Sequence, residues 1–267
     1  MLKYAGHKNQ REMQVYFVNY LVAGGLAVFL SESHISILFT KETLPSLLFG
    51  VMVGVLYITN LFIMGRSMIE NGIGLTVSIM RISLVLPVMF AVIVFDENLS
   101  LQRVTGLLIA LGALGLLFQP DGRDRNKKAI LYLVAIFFIA GMGDISLKIF
   151  ESMQTPGIDE WLFMAIIFIT CGVISLIFVL LSSRPVPNKS ETLSGILIGI
   201  PNLLASVFVL MALDRIPASV AFPSVNLIVI VLGTVWGAMY WKDMLTKRNY
   251  IIIGLAVLAI ILLTLDI

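Results

Sequence analysis

The chain has 267 residues, of which 59% are hydrophobic and 13% charged, with a net charge of +2 at neutral pH and a mean hydropathy of +1.01. Soluble domains are about 45–50% apolar and about 25% charged, so this composition excludes an ordinary water-soluble fold and makes lipid the solvent. The one cysteine excludes an intrachain disulfide, and the basic residues sit between apolar runs rather than in a nucleic-acid-binding patch.

A bilayer core takes about 20 apolar residues as a helix. Runs of that kind lie, in chain order, at 13–31, 44–65, 73–95, 104–119, 129–147, 161–183, 192–213, 216–241 and 249–265. Each is predicted to be α-helical, because lipid offers a backbone amide no partner outside its own segment. The first run follows a polar stretch and lacks a small-residue cleavage site, so it reads as a span and not a signal peptide. The 104–119 run is short and borrows Leu101 to Arg103 as its start. Trp161 opens one span, while Trp236, Tyr240 and Trp241 close another against Lys242, as interface aromatics do. Arg81 and Asp144 are the charges inside the runs, and Cys171 also lies within one. The predicted class is an all-α integral membrane protein.

The chain also repeats itself at an offset of about 145 residues. Leu2-Lys3 corresponds to Leu147-Lys148, Gly50 and Gly54 to Gly195 and Gly199, and the connector Met68 to Ile73 to Leu213 to Ala218. Glu97-Asn-Leu-Ser100 corresponds, one residue slipped, to Asp243-Met-Leu-Thr246. The repeats are residues 1–122 and 129–267. The second holds five spans, and the partner of its first span would fall mostly before Met1. The expectation is therefore nine helices present and ten in the complete pattern, with Leu2-Lys3 as the last turn of the missing one. Five helices is an odd number, so the two repeats must be inverted relative to each other, an architecture used by transporters with a site between the halves.

Glu97-Asn-Leu-Ser with Gly106 and Gly112, the equivalent Asp243-Met-Leu-Thr, the Leu-Lys pairs and Pro156 resemble the drug/metabolite transporter superfamily, in particular its EamA-type members. Gly254 departs from the pattern, lying eight residues after Thr246 where Gly106 lies six after Ser100. The resemblance implies ten helices in two inverted halves and a central cavity lined by the first, third and fourth helices of each. Here those are 44–65, 73–95, 129–150, 192–213 and 216–241.

Lys and Arg mark cytoplasmic loops. One set of alternate loops carries Lys3, Lys8, Arg11, Arg66, Arg123, Arg125, Lys127, Lys128, Arg184, Lys189, Lys242, Lys247 and Arg248, and the other only Lys41, Arg103, Lys148 and Arg215. The charge bias predicts that the chain starts inside and ends outside, whereas the resemblance implies that both ends of the ten-helix form face the cytoplasm.

Polar residues in the cavity helices are the candidates for binding substrate. Arg81 lies about two turns into its span, roughly 10 Å along the axis, and its repeat partner is Asn226. A guanidinium there faces a cavity or a partner and could clamp a carboxylate or phosphate; snorkelling toward the loop is the other reading. Asp144 could couple transport to a proton or recognise a cation, but Lys148 at i+4 favours a local ion pair. Tyr57 and Asn60 share a face, Asn202 is the repeat partner of Tyr57, and Ser78, Ser83 and Ser224 add hydroxyls. Any of these could instead bridge helices.

The glycine pairs are read as packing faces. Pro87, Pro201 and Pro223 each free a helix carbonyl, as a hinge or as a static kink. Glu97 and Asp243, just ahead of helix starts, are read as caps. Gly141-Met-Gly143-Asp has no βαβ setting, Asn98-Leu-Ser100 and Asn188-Lys-Ser190 are chance sequons, and no P-loop, zinc spacing or nucleophile elbow occurs. His7 and His34 both lie in loops.

The expected function is secondary transport, as export or exchange, of a small metabolite such as an amino acid. It would act in the plasma membrane as a monomer or homodimer, with a possible coupling proton, no cofactor or metal, no nucleic-acid partner and no enzymatic activity. A sugar-phosphate or nucleotide-sugar antiporter is the alternative within the superfamily, and a membrane-embedded transferase the alternative from another class. The first needs several cavity cations, and the second a cluster of acids or histidines.

Overall fold

The computed structural model describes residues 11–117, 127–182, 186–240 and 246–265. The expectations that rest on Leu2-Lys3, His7, Lys8, Arg123, Arg125, Arg184, Trp241, Lys242 and Asp243 lie outside the described residues. Every regular element among the described residues is helical. In order they are α1 (Glu12–Leu30), a 3₁₀ turn (Ile35–Phe39), α2 (Leu44–Asn71), α3 (Ile73–Ile82), α4 (Val85–Val94), α5 (Leu101–Gly115), α6 (Lys127–Met153), α7 (Glu160–Leu180), α8 (Lys189–Leu213), α9 (Ala218–Tyr240) and α10 (Lys247–Thr264). Together α3 and α4 make one broken span, so each predicted run has its helix. Among the described residues, eight spans are long and apolar enough to cross a membrane, and α5, at 15 residues from Leu101, is a shorter one. This is a multi-pass, all-helical membrane fold.

Local chemistry sets the helix starts. Ser100 Oγ accepts the Arg103 N–H ahead of α5, and Thr246 Oγ1 accepts the Asn249 N–H ahead of α10, the same cap at equivalent places in the two repeats. Asn188 and Glu191 form a reciprocal capping box on α8, with N···O distances of 2.9 and 2.8 Å.

The described chain forms two compact units, each taking helices from both sequence repeats. One runs up to Thr59 and from Phe150 to Met211; the other runs from Asn60 to Ile149 and from Ala212 onward.

In the first unit, the repeat-equivalent helices α1 and α7 lie antiparallel. Ser31, just past the end of α1, donates to Asp159 just ahead of α7 at 2.9 Å, and Gln14 near the start of α1 donates to Ser182 past the end of α7 at 3.2 Å. Gly50 and Gly54 of α2 press on Phe163, Ile166, Ile167 and Thr170 of α7, while Gly195 and Gly199 of α8 press on Val15, Val18, Asn19 and Val22 of α1. The two sets share one helical spacing, i, i+3, i+4 and i+7. A Cβ at Gly54 would stand 2.6 Å from Thr170 Cβ, and one at Gly199 would stand 2.7 Å from the Asn19 carbonyl oxygen. The glycines are therefore packing faces, as read from the sequence. The helix α7 is apolar on every side and is the most enclosed, with Phe163 stacked on Phe150 at 3.6 Å between ring centroids.

In the second unit, α5 and α10 are also repeat equivalents and also antiparallel. Gln102 at the start of α5 donates to the Leu262 carbonyl near the end of α10 at 3.1 Å. Their seam is built from Ala110, Ala113, Ala256 and Ala259, with Leu227 of α9 against it. Gly106 meets Leu263, whereas Gly254 faces open space, so the displaced glycine of the last helix is not at a contact. Gly141 lets α6 close on Leu86 of α4: a Cβ there would stand 2.5 Å from Leu86 Cδ1.

Candidate functional site

The polar centre of the second unit is built around the break between α3 and α4. Pro87 cannot donate to the Ser83 carbonyl, which takes the Leu86 N–H at 2.9 Å instead. Ser83 Oγ donates to the Met80 carbonyl at 2.6 Å, and the Leu84 N–H reaches the Arg81 carbonyl at 3.4 Å, so the backbone tightens into a turn just after Arg81. Pro201 and Pro223, with the same chemistry, sit inside unbroken helices.

Arg81 extends from the last turn of α3 to α9, where Nη1 donates to Asn226 Oδ1 at 2.8 Å. Asn226 is 8% exposed, and its Nδ2 donates to the Phe222 carbonyl at 2.9 Å, which fixes the amide with its oxygen toward the guanidinium. The pair is 145 residues apart, the repeat offset itself.

The carboxylate of Asp144, on α6, is within electrostatic reach of the Arg81 guanidinium, and among the described residues Asp144 makes no ion pair inside 4.0 Å. The local pair with Lys148 suggested by the spacing is corrected by the structure: the Lys148 ammonium lies 3.8 Å from Glu97 Oε1 and 5.5 Å from the centre of the Phe95 ring. The role of Glu97 changes with it. Ser100 caps the helix that follows, and Glu97 caps α9, accepting the Ala218 N–H at 2.8 Å, the Ser219 N–H at 3.0 Å and the Ser219 hydroxyl at 2.9 Å. The cause is Asp96, whose φ of 51° turns the chain back at the end of α4 and aims Glu97 across at α9. A carboxylate beside a serine that already caps the next helix was the sequence signal that it had another partner.

The remaining candidates divide. Ser78 and Ser83 donate to carbonyls of their own helix, Gly74 and Met80, which commits both hydroxyls locally. Ser224 is 9% exposed, and among the described residues neither its Oγ nor Asn60 Oδ1 has a hydrogen-bond partner. Buried orphan polar atoms are rare in folded proteins and suit a place where a ligand or water completes them. Tyr57 and Asn202 belong to the first unit, where Asn202 Nδ2 reaches Asn19 Oδ1 at 3.4 Å and Tyr57 neighbours Tyr20. The sequence reading also missed a clasp in the first unit. Arg11 holds Glu191 through Nε and Nη2 at 3.1 and 3.0 Å and its backbone N–H at 3.1 Å. The hydrogen bonds that Arg11 donates to Glu191, and the carboxylate's charge against the opposing effect of burial, raise the Arg11 guanidinium above its ordinary range.

With this geometry in hand, three similarities bear on the chain. The model of a family described as the EamA-like transporter family matches residues 127–265. An uncharacterized protein of Haemophilus influenzae is 29% identical over 264 residues, covering 94% of this chain and 88% of that protein. A crystal structure of a protein with 16% identity superposes with a TM-score of 0.79 over 99% of this chain and 91% of the other, a likeness of fold.

Proposed function

This chain belongs to the EamA-like transporter family, and from the site it carries we propose that it is a secondary active transporter of a small zwitterionic metabolite, such as an amino acid. It would export or exchange that metabolite across the plasma membrane by alternating access between the inverted repeats. The observation that carries the reading is the Arg81–Asn226 hydrogen bond of 2.8 Å, with the Asp144 carboxylate in electrostatic reach and set beside a broken helix. Charged groups inside a membrane are costly, and they face a pathway or a partner. A guanidinium can take a substrate carboxylate in two parallel hydrogen bonds, while a carboxylate close by can take an ammonium or a coupling proton. Substrate would compete with Asn226 for Arg81, so that binding exchanges one hydrogen-bonded state for another.

A sugar-phosphate or nucleotide-sugar antiporter is less well supported. Its doubly charged substrates call for several cavity cations, and Lys148 is engaged by Glu97. A membrane-embedded transferase would need converging acids or histidines, and among the described residues no three metal-ligating or acidic side chains of that kind come together. The experiment is untargeted metabolite flux from cells that express the wild-type protein, Arg81→Ala or Asp144→Asn. At least one external pool is expected to rise with the wild type and not with Arg81→Ala; unchanged pools in every strain sink the transporter reading.

A further inference from the structure

Two carboxylates compete for one ammonium on α6. Lys148 lies one turn beyond Asp144 on the same helix, the spacing at which a carboxylate and a lysine pair, yet its Nζ is 3.8 Å from Glu97 Oε1. Glu97 is held in place to receive it. Its two oxygens accept two backbone N–H groups and one hydroxyl at the start of α9, where the helix end carries about half a positive charge. Lys148 and Glu97 are only 11% and 12% exposed in their side chains, so water does little to weaken the choice between partners. Glu97 thus draws Lys148 toward the α9 terminus, which leaves Asp144 facing Arg81 and open to a proton. If Lys148 moved to Asp144, it would hold that carboxyl ionised, and Glu97 would lose the ammonium and keep the helix end.

We infer that Glu97 is a positioning residue for the transport site: by holding Lys148 at the start of α9, it keeps Asp144 available to Arg81, to substrate and to a proton. The inference rests on the reading of Asp144 given under the proposed function. It assigns a carboxylate that contacts both α9 and α6 a role in the charge state of a residue it does not touch.

The test uses the full-length protein in liposomes and N,N′-dicyclohexylcarbodiimide, which modifies protonated carboxyls in apolar surroundings, with modification at Asp144 quantified by peptide mass spectrometry. Wild type, E97Q, K148M and the E97Q/K148M double variant are compared, with D144N as the blank. Wild-type Asp144 is expected to react. In E97Q the ammonium moves onto Asp144, and modification falls at least about five-fold, the lower end of ordinary coupling between sites. The double variant recovers the wild-type level, which loss of a helix cap alone would not do. Ser219→Ala loosens the same carboxylate with less disturbance, and it is expected to shift reactivity in the same direction by a smaller amount.

Reactive Asp144 that is indifferent to E97Q and S219A overturns this inference while leaving Asp144 itself as a functional carboxylate. An equal fall in E97Q and in the double variant overturns it in favour of a cap alone. Lack of reaction in the wild type removes both the inference and the reading of Asp144 on which it stands.

Discussion

The two compact units treat the sequence duplication differently. In the first, the copies remain interchangeable: Gly50 and Gly54 meet α7 as Gly195 and Gly199 meet α1, at the same helical spacing. In the second, the copies have parted. One copy of the fourth helix of the repeat is broken after Arg81 and the other runs unbroken through Asn226; Gly106 is at a contact and Gly254 is not. Where the copies keep the same contacts, the contacts are apolar and close, which is the work of a scaffold. Where they differ, the difference is charge, and it falls where Arg81 meets its repeat counterpart Asn226. A site built of two identical halves would present the same chemistry twice; Arg81 against Asn226 presents a cation and an amide, and Asp144 adds a carboxyl on one side.

The largest expected effects come from breaking the symmetric unit. Gly199→Leu and Gly54→Leu force side chains into backbone and Cβ atoms less than 3 Å from the site of the first added carbon. Overpacking of this kind costs about 1–3 kcal/mol for a methylene or two, and more for a whole side chain. Neither variant is expected to elute as a monodisperse peak on size-exclusion chromatography after detergent extraction. Gly254→Leu, with nothing within 4 Å of its Cβ, is expected to elute as the wild type does; if it fails equally, the glycine contacts are not what distinguishes the unit.

Breaking the asymmetric unit should cost transport and spare the fold. Arg81→Ala and Asp144→Asn are expected to keep the wild-type elution profile and lose at least about ten-fold in flux, a loss of roughly 1.4 kcal/mol or more in transition-state stabilisation. Exchanging the pair, as Arg81→Asn with Asn226→Arg, sharpens the comparison. The hydrogen bond can re-form from the opposite copy, so flux should recover above the level of Arg81→Ala, but not to that of the wild type, because α9 lacks the break. No recovery at all would mean that the broken helix, and not the charge at the contact, carries the asymmetry.

The smallest effect is expected at the Arg11–Glu191 clasp. Arg11→Ala should lower the melting temperature slightly and leave flux unchanged. The folded-state value of Arg11 is raised, so its contribution is fully present below the unfolded value and is lost only at strongly alkaline pH. The difference from wild type should therefore be the same at about pH 6 and about pH 9; a difference that changes across that window would count against the clasp.

Much of this was legible in the sequence for identifiable reasons. The spans were, because lipid demands uninterrupted apolar length. The glycine faces were, and so was the correspondence of Arg81 with Asn226, because duplication writes the same position twice; that the two side chains meet was not. The partner of Lys148 was not: helical spacing exposes local pairs, and Glu97 reaches Lys148 and α9 only through a left-handed turn at Asp96. Nor was the choice among Pro87, Pro201 and Pro223, since the break also depends on the Ser83 hydroxyl taking a backbone carbonyl.

The most direct test of the site in the second unit is net metabolite efflux from cells expressing comparable amounts of wild type and Arg81→Ala, with membrane insertion and elution checked for both. A pool that leaves wild-type cells and stays in Arg81→Ala cells is the predicted result. Equal efflux from the two would contradict the assignment of Arg81, and with it the account of why the two units differ.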